Sequence, residues 1–263
     1  MISRLYNNTY FQPAKDYIDR AWISDERERK AVNIFFKDII SIYSKLQTGA
    51  FYLVSPSSLG ASLINCMNTN YTLTYAIGKS PTFSQKGWAF NGVDQYLKTG
   101  LIPNTDLTQF NHFSAIYMRN NTSVSGFDYG AQKADNTASF NFTAKNGSGN
   151  TLSDMYNNTT GRLIFATSDS SGFWGVNTSS SSNRVITRNA VNVGSTVSVA
   201  GNMTTNEVYV GCSNVDGTPT FFTNREVITF LIAKTAITAG DLKILYPAIY
   251  KYNQSVITGG RAV

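Results

Sequence analysis

Val227-Ile-Thr-Phe-Leu-Ile-Ala-Lys-Thr-Ala-Ile-Thr-Ala-Gly-Asp-Leu-Lys-Ile-Leu-Tyr246 is the stretch whose reading decides the fold. Residues 227–233 are apolar and rich in β-branched side chains, the composition of a buried strand. Small and polar residues then break it. Thr238 stands where a helix N-cap belongs, and Leu242, Leu245, Tyr246 and Ile249 recur at helical spacing. The stretch predicts a buried strand that feeds one short helix and closes a β-sandwich.

Upstream, the chain from residue 81 reads as short strands separated by turn chemistry. Strands are expected at 88–90, 96–99, 113–119, 127–131, 138–143, 161–167, 173–177, 184–188, 193–200, 207–212 and 227–233. Between them lie polar turns such as Asn146-Gly-Ser-Gly-Asn150, Ser179-Ser-Ser-Ser-Asn183 and Asp216-Gly-Thr-Pro219. Eleven strands exceed the seven of an immunoglobulin domain and favour a mainly β, two-sheet jelly-roll sandwich. No internal period recurs, which argues against a propeller or solenoid.

The N-terminal part differs. Residues 1–22 form a mixed arm carrying Tyr6, Tyr10, Phe11, Tyr17, Ile18 and Trp22, too many large side chains for a free tail. Ser24 is the expected N-cap of an amphipathic helix with Asp25, Glu26 and Glu28 in its first turn, where the helix dipole favours acids. Its stripe is Val32, Phe35, Phe36, Ile39, Ile40, Tyr43 and Leu46, and Gly49 occupies the C-terminal cap position. Two readings stay open: a helix that covers a face of its own domain, or an assembly helix that packs on other copies or subunits. The organisation expected is an arm and helix over 1–50 and a sandwich over 51–263. Within the latter, residues 51–54 read as a short strand, 55–60 as a loop, 61–67 as a short helix and 71–75 as a strand. The tail from Lys251 to Val263, with Gly259 and Gly260, is expected to fray or to reach a neighbour.

Composition narrows the function. Charged residues make up 14 % of the chain, against roughly 25 % in an average soluble protein. Asn, Ser and Thr, with 26, 27 and 28 copies, replace them and give a polar but weakly charged surface. The net charge is +6 without a dense Lys/Arg cluster, so no nucleic-acid groove is expected. No run is long and apolar enough for membrane insertion, and the opening residues lack the apolar core of a secretion signal. Several Asn-x-Ser/Thr sequons, including those at Asn70, Asn141, Asn177 and Asn202, are what chance supplies in such a chain. Cys66 and Cys212 have no neighbouring cysteine and read as small buried apolar residues.

Catalytic patterns are sparse. A glycosidase needs two acids about 5–10 Å apart, and no strand carries acids at alternate positions. After residue 150 the acids are Asp154, Asp169, Glu207, Asp216, Glu226 and Asp241, well separated in sequence. His112 is the only histidine and has no local metal-binding companion. No Gly-x-Ser-x-Gly elbow, phosphate loop or His-Glu-x-x-His motif occurs. The expectation is a protein that is not an enzyme and has no cofactor or metal; Asp128 and Asp135 would be the only candidates for a calcium site. Sugar binding has better material. Phe127, Tyr129, Phe173, Trp174 and Asn177 lie near turns and are the possible glycan-binding residues, aromatic faces for stacking and an amide for hydroxyl groups.

Two segments carry a resemblance. Thr238-Ala-Gly-Asp-Leu-Lys-Ile-Leu-Tyr246 after its strand, and Gly87-Trp-Ala-Phe-Asn-Gly-Val-Asp-Gln-Tyr-Leu-Lys-Thr-Gly100, resemble the closing and early strands of concanavalin A-like and laminin-G-like lectin sandwiches. An N-terminal helix, Ser62-Leu-Ile-Asn65 and Pro81-Thr-Phe83 before the second segment is similar to fibre and surface proteins of tailed bacteriophages, including the crAss-like group. The resemblance implies a virion structural protein, a head or tail fibre or a capsid decoration protein. It would be a homo-oligomer, a trimer in the fibre case, in contact with other virion proteins and located in the virion. The alternative is a carbohydrate-binding module for host surface polysaccharide.

Overall fold

The computed structural model describes residues 10–84, 86–156, 161–196 and 201–256. The helical start comprises α1 (Gln12–Arg20), α2 (Glu26–Asp38), a 3-10 turn (Ile40–Ile42) and α3 (Tyr43–Leu46). Then follow β1 (Ala50–Leu53), α4 (Leu59–Leu63), β2 (Thr82–Ser84), β3 (Gly87–Ala89), β4 (Leu97–Lys98) and α5 (Pro103–Asp106). The central strands are β5 (His112–Met118), β6 (Tyr129–Gln132), β7 (Ser139–Thr143), β8 (Asn150–Met155) and β9 (Arg162–Ala166). Next come β10 (Gly172–Ser180), β11 (Asn183–Arg188), β12 (Val191–Thr196), β13 (Tyr209–Val210), β14 (Ser213–Val215) and β15 (Thr218–Thr220). The chain closes on β16 (Glu226–Ala233) and α6 (Ala239–Val256).

The strands form a mainly antiparallel two-sheet sandwich. One sheet runs β12-β11-β10-β5-β16-β3-β2, with β1 also pairing β16 beyond the short β3. The other runs β15-β14-β6-β7-β8-β9, with β13 bridging β4 and β6. Between the sheets, Trp88, Ile116, Met118, Tyr129, Phe140, Phe142, Trp174, Val176 and Phe230 form one apolar layer. The first sheet is buried on its other face as well. Phe113, Ala115, Tyr117, Phe173, Ile228 and Leu231 point outward into a second apolar layer made by α1, α2 and α6. This double burial explains why residues 227–233 read as an unbroken apolar run rather than an alternating one.

The helical layer decides the fate of the stripe. Val32, Phe35, Phe36, Ile39 and Leu46 are buried, Tyr43 is half-buried, and only Ile40 faces solvent. The Phe35 ring meets Phe36, Phe51 and Tyr252 edge-on at 5.6, 5.5 and 6.1 Å. The candidate assembly face is therefore interior to this chain, because the outer face of the first sheet needs an apolar cover. Residues between Ala14 and Leu46 and residues between Phe51 and Val256 share that apolar layer.

Several local expectations change. The cap of α2 is Asp25 rather than Ser24; its side chain accepts the Glu28 N–H at 2.7 Å. The helix leaves α geometry after Asp38, and the stripe continues through the 3-10 turn and α3. Gly49 has another reason than a left-handed cap: a Cβ there would lie 2.0 Å from the Ile232 carbonyl oxygen, so its role is close approach to β16. Residues 12–20 are helical, against the expected irregular arm; expectations for residues 1–9 lie outside the described residues. Residues 71–75 make only an isolated bridge, Thr74 to Lys98. β8 was not expected, because Asn150-Thr-Leu-Ser-Asp-Met155 has only two large apolar residues. The closing helix is long, 18 residues, and runs through Lys251; the tail from 257 lies outside the described residues.

One end of the sandwich is tied by a buried ion pair, Arg225 with Asp128. Asp128 also accepts the Thr223 hydroxyl at 2.9 Å and the Ala144 N–H at 2.7 Å, while Arg225 donates to the carbonyls of Thr122 and Lys145. Both oxygens of Asp128 are engaged in this pair and its hydrogen bonds, and exposed Asp135 caps its own turn at Thr137.

Truncating Phe35 to Ala should lower the unfolding free energy by about 3–5 kcal/mol, read from urea denaturation, because a fully buried ring at the α2–α6–β1 junction leaves a cavity.

Candidate functional site

The helical layer does not reach across the whole first sheet. Past the first turn of α6, strands β10, β11 and β12 extend uncovered and leave a recess of about 340 Å³. Strand alternation selects its floor. On β10, Phe173 points under α6, so Asn177 points out on the same face; the register places Val185 opposite Asn177 and Thr187 opposite Gly175. Asn192 pairs with Thr187 from β12. Ile237, Thr238, Ala239 and Leu242, from the turn and first turn of α6, form the wall, and Ser179 and Asn183 the rim. Gly175 keeps the floor low, since a Cβ there would lie 2.7 Å from the Phe113 ring and 2.9 Å from the Thr187 hydroxyl.

The lining is neutral. It consists of Asn, Ser and Thr side chains interleaved with Val185, Ile237 and Leu242, and no charged side chain is among them. Asn177 is fixed by the turn: its Oδ1 accepts the Ile237 N–H at 2.8 Å, which leaves the amide NH2 as a positioned donor. Asn183 Nδ2 donates to Ser179 Oγ at 2.9 Å, and Asn192 Oδ1 accepts the Gly194 N–H at 3.0 Å. The α6 N-terminus is closed by a reciprocal cap. Thr238 Oγ1 accepts the Asp241 N–H at 3.1 Å and Asp241 Oδ2 accepts the Thr238 N–H at 2.8 Å. Lys45 pairs with Asp241 at 2.6 Å. The carboxyl of Asp241 is held below its usual range by its hydrogen bonds to Lys45 and Thr238, which outweigh the opposing effect of burial. The recess thus offers hydrogen-bonding groups beside small apolar patches, with no charged side chain among the described lining residues.

Of the five possible glycan-binding residues, the structure brings only Asn177 into this recess. Phe173 and Trp174 are consecutive on β10 and lie on opposite faces of the sheet, one under α6, the other between the sheets. Trp174 is 1 % exposed and its indole N–H donates to the Ser170 carbonyl. Tyr129 is buried, with its hydroxyl 2.7 Å from that of Ser114. These three cannot form a stacking platform, because each fills a core. Phe127 is half-buried and meets exposed Phe221 edge-on at 5.9 Å, far in sequence from the recess strands. The remaining polar recess residues, Asn183, Thr187 and Asn192, carried a readable signal: outward polar positions on paired strands, with Val185 between two of them. A search for aromatics passes over that signal.

Other candidate chemistry is engaged elsewhere. Asp154 takes two hydrogen bonds from Arg162 at 2.7 and 2.8 Å, and Asp169 pairs with Arg188. Among the described residues no three His, Cys, Asp or Glu side chains come together as metal ligands. Cys66 and Cys212 are buried and unpaired, and burial pushes both thiols up. Among the described residues no helix is long and apolar enough to cross a membrane.

With this geometry in view, the fold is that of the concanavalin A-like and laminin-G-like sandwich domains. The chain is similar to the binding domain of botulinum neurotoxin serotype D, at 10 % identity and a TM-score of 0.58, over 81 % of this chain and 53 % of that one. It is similar to the binding domain of Paraclostridial mosquitocidal protein 1, at 11 % identity and a TM-score of 0.53, over 80 % of this chain and 53 % of that one. The chain therefore spans about half the length of these neighbours. No protein-family model and no curated protein matches the sequence.

His112 is fully buried at the start of β5, and burial pulls its imidazole down to about 4. The unfolded chain binds this proton near 6.5 and the folded chain only near 4, so stability is lost as pH falls through that window, by about 3 kcal/mol in total. Urea titrations at a series of pH values should show this loss in the wild type and not in His112→Gln.

Proposed function

We propose that this protein is a carbohydrate-binding domain that takes an uncharged saccharide in the recess beside α6. The observation that carries the reading is the lining itself: a concave surface in which Asn177, Asn183, Thr187 and Asn192 present amide and hydroxyl groups around Val185 and Leu242, without a charged side chain. A sugar ring is hydroxyl groups around an apolar C–H face, and such a surface matches both. The absence of charge in the lining favours neutral glycans over sialylated, sulfated or phosphorylated ones. A host surface polysaccharide fits that description.

A glycan array should return neutral oligosaccharides. Asn183→Ala and Asn192→Ala should each weaken binding by about 5–10-fold, the loss of one hydrogen bond, without lowering Tm. Val185→Trp should fill the recess and abolish binding. An array without a neutral binder, or full binding by Val185→Trp, would sink the proposal.

Our second reading is the virion structural role, as a homo-oligomeric fibre or decoration protein. Its support lies in the helical layer, where Trp22 is 89 % exposed and Ile34 and Ile40 also face solvent. Large apolar side chains left outside a finished core suit contact with further copies or other virion proteins. Light scattering should then show an oligomer that Trp22→Glu together with Ile40→Glu converts to monomer; a wild-type monomer at high concentration counts against it.

A further inference from the structure

At the end of the sandwich interior nearest β9, three polar side chains stand in one row across the first sheet. His112 on β5 pairs with Thr178 on β10, and Thr178 pairs with Arg184 on β11. All three point between the sheets, on the face that carries Ile116, Val176 and Ile186, and all three are fully buried. Their polar atoms are not satisfied. Among the described residues, Thr178 Oγ1, His112 Nε2, and Nε and Nη1 of Arg184 have no hydrogen-bond partner; Arg184 keeps one bond, from Nη2 to the Gly161 carbonyl.

An unpaired guanidinium in a protein interior is costly, and arginine does not escape the cost by losing its proton. Burial brings Arg184 down to about 10, so it stays protonated at neutral pH. The carboxylate whose field reaches Arg184 is Asp154, and both its oxygens are taken by Arg162. The Asp154–Arg162 pair lies on the outer face of the second sheet, on the side of Asn141, so the Arg184 charge in the interior keeps no hydrogen-bonded carboxylate among the described residues. The adjoining sequence supplies no further acid, since Tyr156-Asn-Asn-Thr-Thr-Gly161 and Thr196-Val-Ser-Val-Ala-Gly201 contain neither Asp nor Glu. His112 adds no charge, being neutral above pH about 4, with Nδ1 held at 3.0 Å from the Thr108 carbonyl.

We propose that this interior row is an anion site, in which a small monovalent anion of the halide class accepts hydrogen bonds from Arg184 and from the Thr178 hydroxyl and balances the buried charge. The surroundings select for size and for weak hydration. The rings of Phe140 and Tyr156 stand 5.7 and 6.5 Å from that of His112, so aromatic rings flank the row and favour a small, weakly hydrated anion. The anion is structural: it holds β5, β10 and β11 against the second sheet near β9.

The test uses the full chain and bromide as the probe. Crystals grown in bromide should show an anomalous peak within hydrogen-bonding distance of the Arg184 guanidinium. In solution, exchanging gluconate for chloride at constant ionic strength should raise Tm by about 3–6 °C once chloride exceeds its dissociation constant tenfold. Arg184→Met should lose that anion-specific increment. Absence of a peak at Arg184, or an equal increment in the folded variant, overturns the proposal. If Arg184→Met does not fold, the bromide peak decides alone.

Discussion

The burial of one sheet on both faces is the constraint from which the remaining architecture follows. In β5 every residue is buried, and in β16 all but the first. A sandwich alone would cover one face of these strands and leave Phe113, Ala115, Tyr117, Ile228 and Leu231 in water. The chain meets that need with a third layer, in which α1 and α2 from one terminus and α6 from the other pack together over the sheet. The amphipathic stripe of α2 is consumed in doing so. The helix that looked available for assembly is part of this domain's own core, and α1, α2 and α6 are held together by their common task.

That third layer also creates the recess. Helices are narrow and the sheet is wide, so α6 shields Phe173 but not Asn177 two pairs further along the same face of β10. Strand β11 and the edge strand β12 carry outward Asn183, Thr187 and Asn192 there because no helix covers them. The site is a consequence of incomplete coverage, and its neutral chemistry reflects a chain that uses Asn, Ser and Thr where other proteins use charge.

Charge is used sparingly and deep inside. The Asp128–Arg225 pair spends every oxygen and most of its donors on three loop segments, which makes it a tie rather than a ligand site. On the outer face of the second sheet, Asn141 links Gln132 and Ser213 by hydrogen bonds of 2.7 Å, and Gly130 is required beneath it because a Cβ would collide with the Asn141 amide. Satisfied networks of this kind rigidify a sandwich. The row at Arg184 differs in degree: Arg225 leaves only its Nε unpaired, whereas Arg184 leaves Nε and Nη1, and Thr178 and His112 beside it leave one atom each, without a partner among the described residues.

The sequence by itself determined the fold class, most of the strands, the buried character of residues 227–233, the Thr238 cap and the amphipathic helix. Each of these rests on local periodicity, turn residues or capping chemistry, which act over a few neighbouring positions. Only the tertiary structure decided which face each side chain occupies and what covers it. Phe173 and Trp174 are adjacent and equally aromatic, yet the register of β10 sends them into two different cores. Asn177, singled out among aromatics, proved to be the residue that reaches a recess, because exposure depends on where α6 begins rather than on residue type. Pairings such as Arg225 with Asp128 and Asp241 with Lys45 span 97 and 196 residues, and no pattern within a short window specifies contacts at that separation.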